Sequence, residues 1–137
     1  MLLEVNNLCK SYTKKHKKLI ILKDFTYSFK GHNMYLIKGK SGAGKTTLLS
    51  LLALLDTSDS GSILFNGNDL ALLPTGRKTK FRYEYIGYVF QEFNLFSALT
   101  VEENILMAFA EQTITQKEYD KIDDTLKMIG LYDRKYH

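Results

Sequence analysis

The segment of this chain with the clearest chemical meaning is a glycine-rich run that ends in Lys45 and Thr46. It reads Gly39-Lys40-Ser41-Gly42-Ala43-Gly44-Lys45-Thr46 and matches G-x-x-x-x-G-K-[ST] at every fixed position. Glycines let backbone N–H groups curl round an anion. The Lys45 ammonium would reach the β- and γ-phosphates, and the Thr46 hydroxyl would bind Mg²⁺. The run predicts a purine nucleoside triphosphate site but does not specify the reaction.

Two predicted elements position this loop. Residues 34–37 (Met-Tyr-Leu-Ile) are apolar throughout, which predicts a strand buried on both faces. Lys45 to about Leu55 is rich in Leu and free of Gly and Pro, which predicts a helix. The helix N-terminus would add partial positive charge where phosphates sit.

The rest of the chain predicts strands first and helices later. The strands are expected at Leu2–Leu8, Leu19–Leu22, Phe25–Phe29, Ser62–Phe65 and Ile86–Phe90. Thr100 with Glu103 and Thr115 with Glu118 predict capping boxes for helices running to about Glu111 and about Ile129, and Gly130 ends the second.

Length and composition limit the class of protein. The 137 residues, 45% of them hydrophobic and 25% charged, suit one globular domain or part of one. The sequence carries no recognisable signal peptide or membrane span, and its single Cys9 fits a reducing compartment. These features predict a cytoplasmic protein.

The net charge of +4 is concentrated near the N-terminus, where residues 1–45 hold ten lysines against Glu4 and Asp24. We interpret the run Lys14-Lys15-His16-Lys17-Lys18 as a solvated loop between strands. The phosphate loop already accounts for some of the basic residues, so we expect no nucleic acid partner.

Several segments together resemble the ATP-binding subunit of ABC transporters. They are Val5-Asn6-Asn7-Leu8-Cys9-Lys10-Ser11-Tyr12, Leu22-Lys23-Asp24-Phe25, the glycine loop with Thr47-Leu48-Leu49 (the family's Walker A), Ser60-Gly61-Ser62-Ile63, and Ile86-Gly87-Tyr88-Val89-Phe90-Gln91 (the strand and Q-loop). The stretch Tyr88–Ile105 is most similar to the subgroup that serves lipoprotein-release, macrolide-efflux and antimicrobial-peptide-export permeases. Mild departures are Leu54 and Ser58, where the family often has Gly and Pro.

The resemblance implies further site residues. Tyr12 would stack on adenine, and Gln91 would contact Mg²⁺ and water and act with Lys45 in catalysis. The loop from Gly39 to Thr47 would hold the phosphates through its backbone N–H groups and the Lys45 side chain, and the region Phe93–Leu99 would meet the permease. Tyr12 as an edge-packing ring and Gln91 as an ordinary loop residue remain alternatives.

The resemblance also implies an α/β P-loop fold of ABC type. It comprises an N-terminal antiparallel β subdomain with a partial parallel core sheet up to about residue 95, and the start of a helical subdomain from about 96 to 137. The family's Leu-Ser-Gly-Gly-Gln signature, its strand ending in Asp-Glu and its switch histidine do not occur in this sequence. We therefore expect a truncated domain that binds ATP and does not hydrolyse it alone.

Such truncation would leave strands 34–37 and 86–90 without neighbours, which predicts a homodimer or a strand-exchanged oligomer. With its permease, the chain would lie on the inner face of the cell membrane. A non-hydrolysing nucleotide-binding regulator and a small P-loop kinase, with residues 77–82 as its lid, remain alternatives. The sequence does not identify the transported substrate.

Overall fold

The computed structural model describes residues 2–109 and 114–137, which fall into two compact units, Met1–Tyr88 and Val89–His137. In the first unit the elements are β1 (Leu2–Lys14), β2 (Lys17–Lys30), α1 (Lys45–Leu52), β3 (Ser60–Phe65), β4 (Asn68–Asp69) and α2 (Thr75–Tyr85). In the second they are α3 (Val101–Leu106) and α4 (Gln116–Met128). Short 3₁₀ turns lie at Leu70–Leu72, Met107–Phe109 and Tyr132–Arg134.

The first unit contains a four-stranded sheet with the order β2-β1-β3-β4, in which every pairing is antiparallel. It confirms the strands predicted around Leu2–Leu8, Leu19–Leu22, Phe25–Phe29 and Ser62–Phe65, although β2 contains two of them. Lys15 and His16 adopt positive φ at the exposed turn between β1 and β2. The lysine-rich run is therefore a solvated hairpin end, as predicted.

An irregularity in β1 determines which side chains reach the core. Val5 and Leu8 are both fully buried although they lie three positions apart, a spacing that puts residues of a regular strand on opposite faces. The pairing of β1 with β2 shifts register between these two residues. This bulge turns Leu8 onto the same face as Val5, where both join Leu48 and Leu51 of α1 in the core.

The two strands predicted to flank the nucleotide site are not formed. Residues 33–40 and 86–90 carry no regular secondary structure, and Met34 and Val89 are 98% and 96% exposed. The expected parallel pairing is therefore not seen in the described ranges. The strand prediction was wrong because apolar composition favours a strand only where another strand completes its hydrogen bonds, and the described sheet does not extend to these segments.

Helix α2 was not predicted from the sequence. It contains the basic residues 77–82 that we considered as a kinase lid, and it packs Phe81 edge-on against Phe65 of β3, with ring centroids 5.0 Å apart. Its apolar contacts come from single aromatic residues within a basic run, so it has no clear hydrophobic period.

The second unit confirms both predicted capping boxes. The Thr100 hydroxyl accepts a hydrogen bond from the Glu103 N–H at 3.2 Å, and the Thr115 N–H donates to the Glu118 carboxylate at 3.0 Å. Gly130, with φ +70°, follows the end of α4. Helix α3 ends at Leu106 and a 3₁₀ turn continues to Phe109, while residues 110–113, where we expected the helix to end, lie outside the described residues.

Lys135 holds the second unit together. Its buried ammonium forms ion pairs with Glu102 of α3 at 2.8 Å and Asp123 of α4 at 2.7 Å. The hydrogen bonds to these two carboxylates raise the pKa of Lys135, and the bond to Asp123 has the larger effect. Across both described ranges, no helix is long and apolar enough to cross a bilayer.

Candidate nucleotide-binding site

The glycine-rich loop folds back over the head of α1. The Lys45 ammonium donates hydrogen bonds to the carbonyl oxygens of Gly39 and Lys40, each at 2.9 Å. The Ala43 N–H donates to the Lys40 carbonyl at 3.2 Å, which tightens the turn. Both partners of Lys45 are backbone carbonyls, so no carboxylate neutralises its charge among the described residues.

Gly44 is required where the loop enters α1. It occupies the N-cap position with φ +86°, a left-handed conformation that L side chains rarely adopt. A Cβ on Gly44 would lie 2.8 Å from Cγ2 and 3.2 Å from the carbonyl oxygen of Ile21 in β2. The glycine therefore allows β2 to pack directly against the loop.

The head of α1 is suited to an anion. The first N–H groups of a helix have no partners within it, and the first turn of α1 contains no acidic residue. An open depression of about 230 Å³ lies there, lined by Ile21, Gly42, Gly44, Lys45, Thr46 and Thr47. The Lys45 ammonium, the exposed Thr46 residue and the backbone donors together fit a polyphosphate with a bound Mg²⁺.

Tyr12 lies in a charged network beside α1. Its hydroxyl donates to Asp56 Oδ2 at 2.7 Å, and the Lys10 ammonium donates to Asp56 Oδ1 at 2.7 Å. The same ammonium lies 4.8 Å from the centroid of the Tyr12 ring and donates to the carbonyl of Thr57 at 2.7 Å. Asp56 lies four residues after the end of α1, so its bond to the Tyr12 hydroxyl brings Tyr12 next to this helix.

This network shifts three pKa values. Burial alone would raise the pKa of Asp56, but hydrogen bonds from Lys10 and Tyr12 outweigh it and hold that pKa below its ordinary value. The hydrogen bond from Lys10 to Asp56 raises the pKa of Lys10, although burial acts to lower it. The separate hydrogen bond from Tyr12 to Asp56 raises the pKa of Tyr12. Lys10 and Asp56 are therefore a charged pair across the neutral pH range.

We expect Asp56→Asn to lower the free energy of unfolding by about 1–2 kcal/mol at pH 7, because the neutral amide loses the charge that pairs with Lys10 and has one acceptor oxygen for donors that now bind both carboxylate oxygens. The pKa of Asp56 is depressed on folding, so its contribution is full above about pH 5 and is lost as the pH falls below the ordinary value of 3.8. Urea denaturation of both proteins between pH 2.5 and 9 measures the difference. A difference that persists at pH 2.5 would contradict the assignment.

The structure leaves Gln91 untested as a site residue. It lies in the second unit and is exposed. Sequence reasoning also missed Lys10 and Asp56, which lie 46 positions apart and carry no shared motif.

The chain matches one protein-family model and is similar to several known proteins. Residues 22–137 match the family model described as ABC transporter. The chain is 36% identical over 135 residues to the bacitracin export ATP-binding protein BceA of Halalkalibacterium halodurans. It is 34% identical over 137 residues to the lipoprotein-releasing system ATP-binding protein LolD 1 of Rhodopirellula baltica.

A solved structure is similar over 98% of this chain, with a TM-score of 0.87 and 27% identity. It is described as a dimeric post-hydrolysis state of the ATP-binding cassette MJ0796 bound to ADP and Pi. The match covers 98% of this chain but 53% of BceA, 99% of this chain but 60% of LolD 1, and 60% of the MJ0796 chain. The chain thus spans little more than half the length of these three relatives.

Proposed function

This chain belongs to the ABC transporter family, and from that premise we propose that it is the ATP-binding portion of an ATPase subunit that energises transport with a membrane permease. One observation carries the ATP-binding part of the proposal. The Lys45 ammonium is held over the glycine loop by two backbone carbonyls at the head of α1, where no carboxylate occupies the first turn. That arrangement suits the β- and γ-phosphates of a nucleotide.

Each predicted site residue has a role in this proposal. The backbone of the loop from Gly39 to Thr47 cradles the phosphates, and Lys45 pairs with their charge. The Thr46 hydroxyl binds Mg²⁺, which neutralises charge on the phosphates, and the Tyr12 ring stacks on the base. The roles of Gln91 in Mg²⁺ binding and catalysis remain predictions from the family resemblance.

Residues after Gln91 support a protein partner. Phe93 is 93% exposed and Leu95 is 69% exposed, so an apolar surface is available in the region that we assign to the permease. Binding there would place the chain on the inner face of the cell membrane. The similar cassettes that were solved as dimers support a homodimer, whereas strand exchange was inferred from two strand edges that the structure does not form.

We expect this 137-residue chain to bind ATP without turning it over. The sequence contains no Leu-Ser-Gly-Gly-Gln segment and no Asp-Glu pair after an apolar run. In the family resemblance these segments supply the partner's ATP-contacting surface and the catalytic base. A chain without these segments is expected to bind ATP and not to hydrolyse it.

Calorimetric titration with ATP, in MgCl₂ and then in EDTA, tests the proposal. We expect ATP to bind in MgCl₂, and its affinity to fall about tenfold or more when the metal is chelated. We also expect AMP to bind at least about tenfold more weakly than ATP, because the site recognises the outer phosphates. A phosphate-release assay on the same sample should give no turnover. AMP binding as tight as ATP binding, or steady phosphate release, would contradict the proposal.

A further inference from the structure

Tyr12 is more constrained than a surface tyrosine would be. Its side chain is 43% exposed, yet its hydroxyl is fixed to Asp56 at 2.7 Å and its ring has the Lys10 ammonium 4.8 Å from the centroid. An exposed aromatic side chain without such contacts samples several rotamers, and ordering it opposes ligand binding. The contacts to Asp56 and Lys10 fix the ring before any ligand arrives.

The two anchors are themselves fixed. Lys10 is 8% exposed and donates to both the Asp56 carboxylate and the Thr57 carbonyl. The Thr57 N–H donates to the same carboxylate at 2.7 Å. Asp56 therefore links β1 to the segment after α1, and one carboxylate controls both the hydroxyl end of Tyr12 and the cation over its ring.

Lys10 also makes the ring one-sided. An ammonium at 4.8 Å from the centroid lies within cation–π range and blocks a planar ligand from that face. A base must then stack on the opposite face. The Tyr12 hydroxyl is held by Asp56, four residues after the end of α1, and the same helix begins at Lys45 in the depression, so the ring has a fixed relation to the phosphate loop.

We infer that Lys10 and Asp56 are positioning residues that hold Tyr12 as a one-sided stacking platform for the nucleotide base. This inference rests on the proposed ATP-binding function and extends it, because it assigns two residues to base recognition that the phosphate motif does not contain. A merely structural link between β1 and the segment after α1 would affect every ligand of the site equally. Base recognition affects only ligands that carry a base.

Calorimetric titration with ATP and with inorganic tripolyphosphate, both in MgCl₂, separates these roles. The ratio of the two dissociation constants reports the contribution of the nucleoside, and the affinity for tripolyphosphate reports the phosphate loop. We expect Asp56→Asn to reduce the preference for ATP about fivefold or more, since loss of stacking on an ordered ring weakens base binding. The affinity for tripolyphosphate should change by less than about twofold.

Four further variants complete the design. Tyr12→Phe keeps the ring and the ion pair but loses the hydroxyl anchor, so it should lower the preference as Asp56→Asn does, even if Asp56→Asn fails to fold. Lys10→Met should also lower it, and Lys10→Arg should restore it. Asp59→Asn is the matched control, because this neighbouring carboxylate accepts hydrogen bonds from Ser11 and not from Tyr12.

The outcomes separate this inference from the proposed function. A parent chain that binds ATP and tripolyphosphate equally, or an Asp56→Asn chain whose two affinities fall together, overturns the platform and leaves the phosphate site standing. A parent chain that binds neither ligand overturns the proposed function and the platform with it. A preference that falls in Asp56→Asn and Tyr12→Phe but not in Asp59→Asn supports the inference.

Discussion

Replacing Lys45 with alanine is expected to weaken ATP binding about 10- to 100-fold. A charge-assisted hydrogen bond contributes about 1.5–3 kcal/mol, and each 1.4 kcal/mol is about tenfold in affinity. The Lys45 ammonium lies at the loop, where its hydrogen bonds to Gly39 and Lys40 orient it toward the head of α1. Calorimetric titration of ATP in MgCl₂, on parent and variant, measures the loss.

Lys40→Ala is the matched control for this substitution. It removes the same charge from the same loop, but the Lys40 side chain is exposed and its backbone carbonyl, which holds Lys45, stays in place. We expect a loss of less than about threefold, which 0.5 M salt should largely abolish because exposed charges are screened. Equal losses from both substitutions would mean that the loop binds anions by general charge and not through Lys45.

Tripolyphosphate, which carries phosphates but no base, shows which part of ATP Lys45 recognises. Lys45→Ala should lower the affinities for tripolyphosphate and for ATP by similar factors, since Lys45 would contact the triphosphate group that both ligands share. Asp56→Asn should weaken ATP alone. A preference for ATP that is unchanged in Lys45→Ala but lowered in Asp56→Asn would place phosphate and base recognition in separate groups of residues within the first unit.

The start of α1 at Lys45 was predictable from the sequence because the interactions that set it are local. Gly44 and Lys45 are adjacent, and the left-handed φ of the first and the position of the second both belong to the short turn that begins α1. Capping at Thr100 was equally predictable, since Thr100 and Glu103 satisfy each other within one helical turn. Hydrogen bonds between residues close in the chain produce short sequence motifs from which they can be predicted.

Features that depend on distant pairing were not predictable. Tyr12 reaches Asp56 across 44 positions, and nothing in either local sequence indicates the other. Residues 34–37 show the converse case, because their apolar run predicts a strand but a strand exists only where a neighbour completes its ladder. The relation of Val5 to Leu8 was hidden for the same reason, since a bulge breaks the two-residue period.

The second large expected effect concerns the residue opposite that bulge. We expect Gly61→Ala to lower the free energy of unfolding by about 2–5 kcal/mol. Gly61 of β3 lies opposite the bulge in β1, where pairing shifts between Asn6 and Cys9. A Cβ there would lie 2.5 Å from the Asn7 carbonyl oxygen and 2.6 Å from that of Asn6, and neither backbone atom can move without opening the sheet. Left-handed strain at φ +88° adds about 1–2 kcal/mol.

Gly67→Ala isolates the steric part of that effect. Gly67 has nearly the same φ, +83°, but a Cβ there meets no atom within 4 Å, so urea denaturation should show a loss of only about 1–2 kcal/mol. The bulge also sets the face of the strand beyond it, from which Lys10 and Tyr12 reach Asp56. Gly61→Ala should therefore lower the preference for ATP over tripolyphosphate as well as stability, whereas equal stability losses in the two glycine variants would show that β1 accommodates the methyl group.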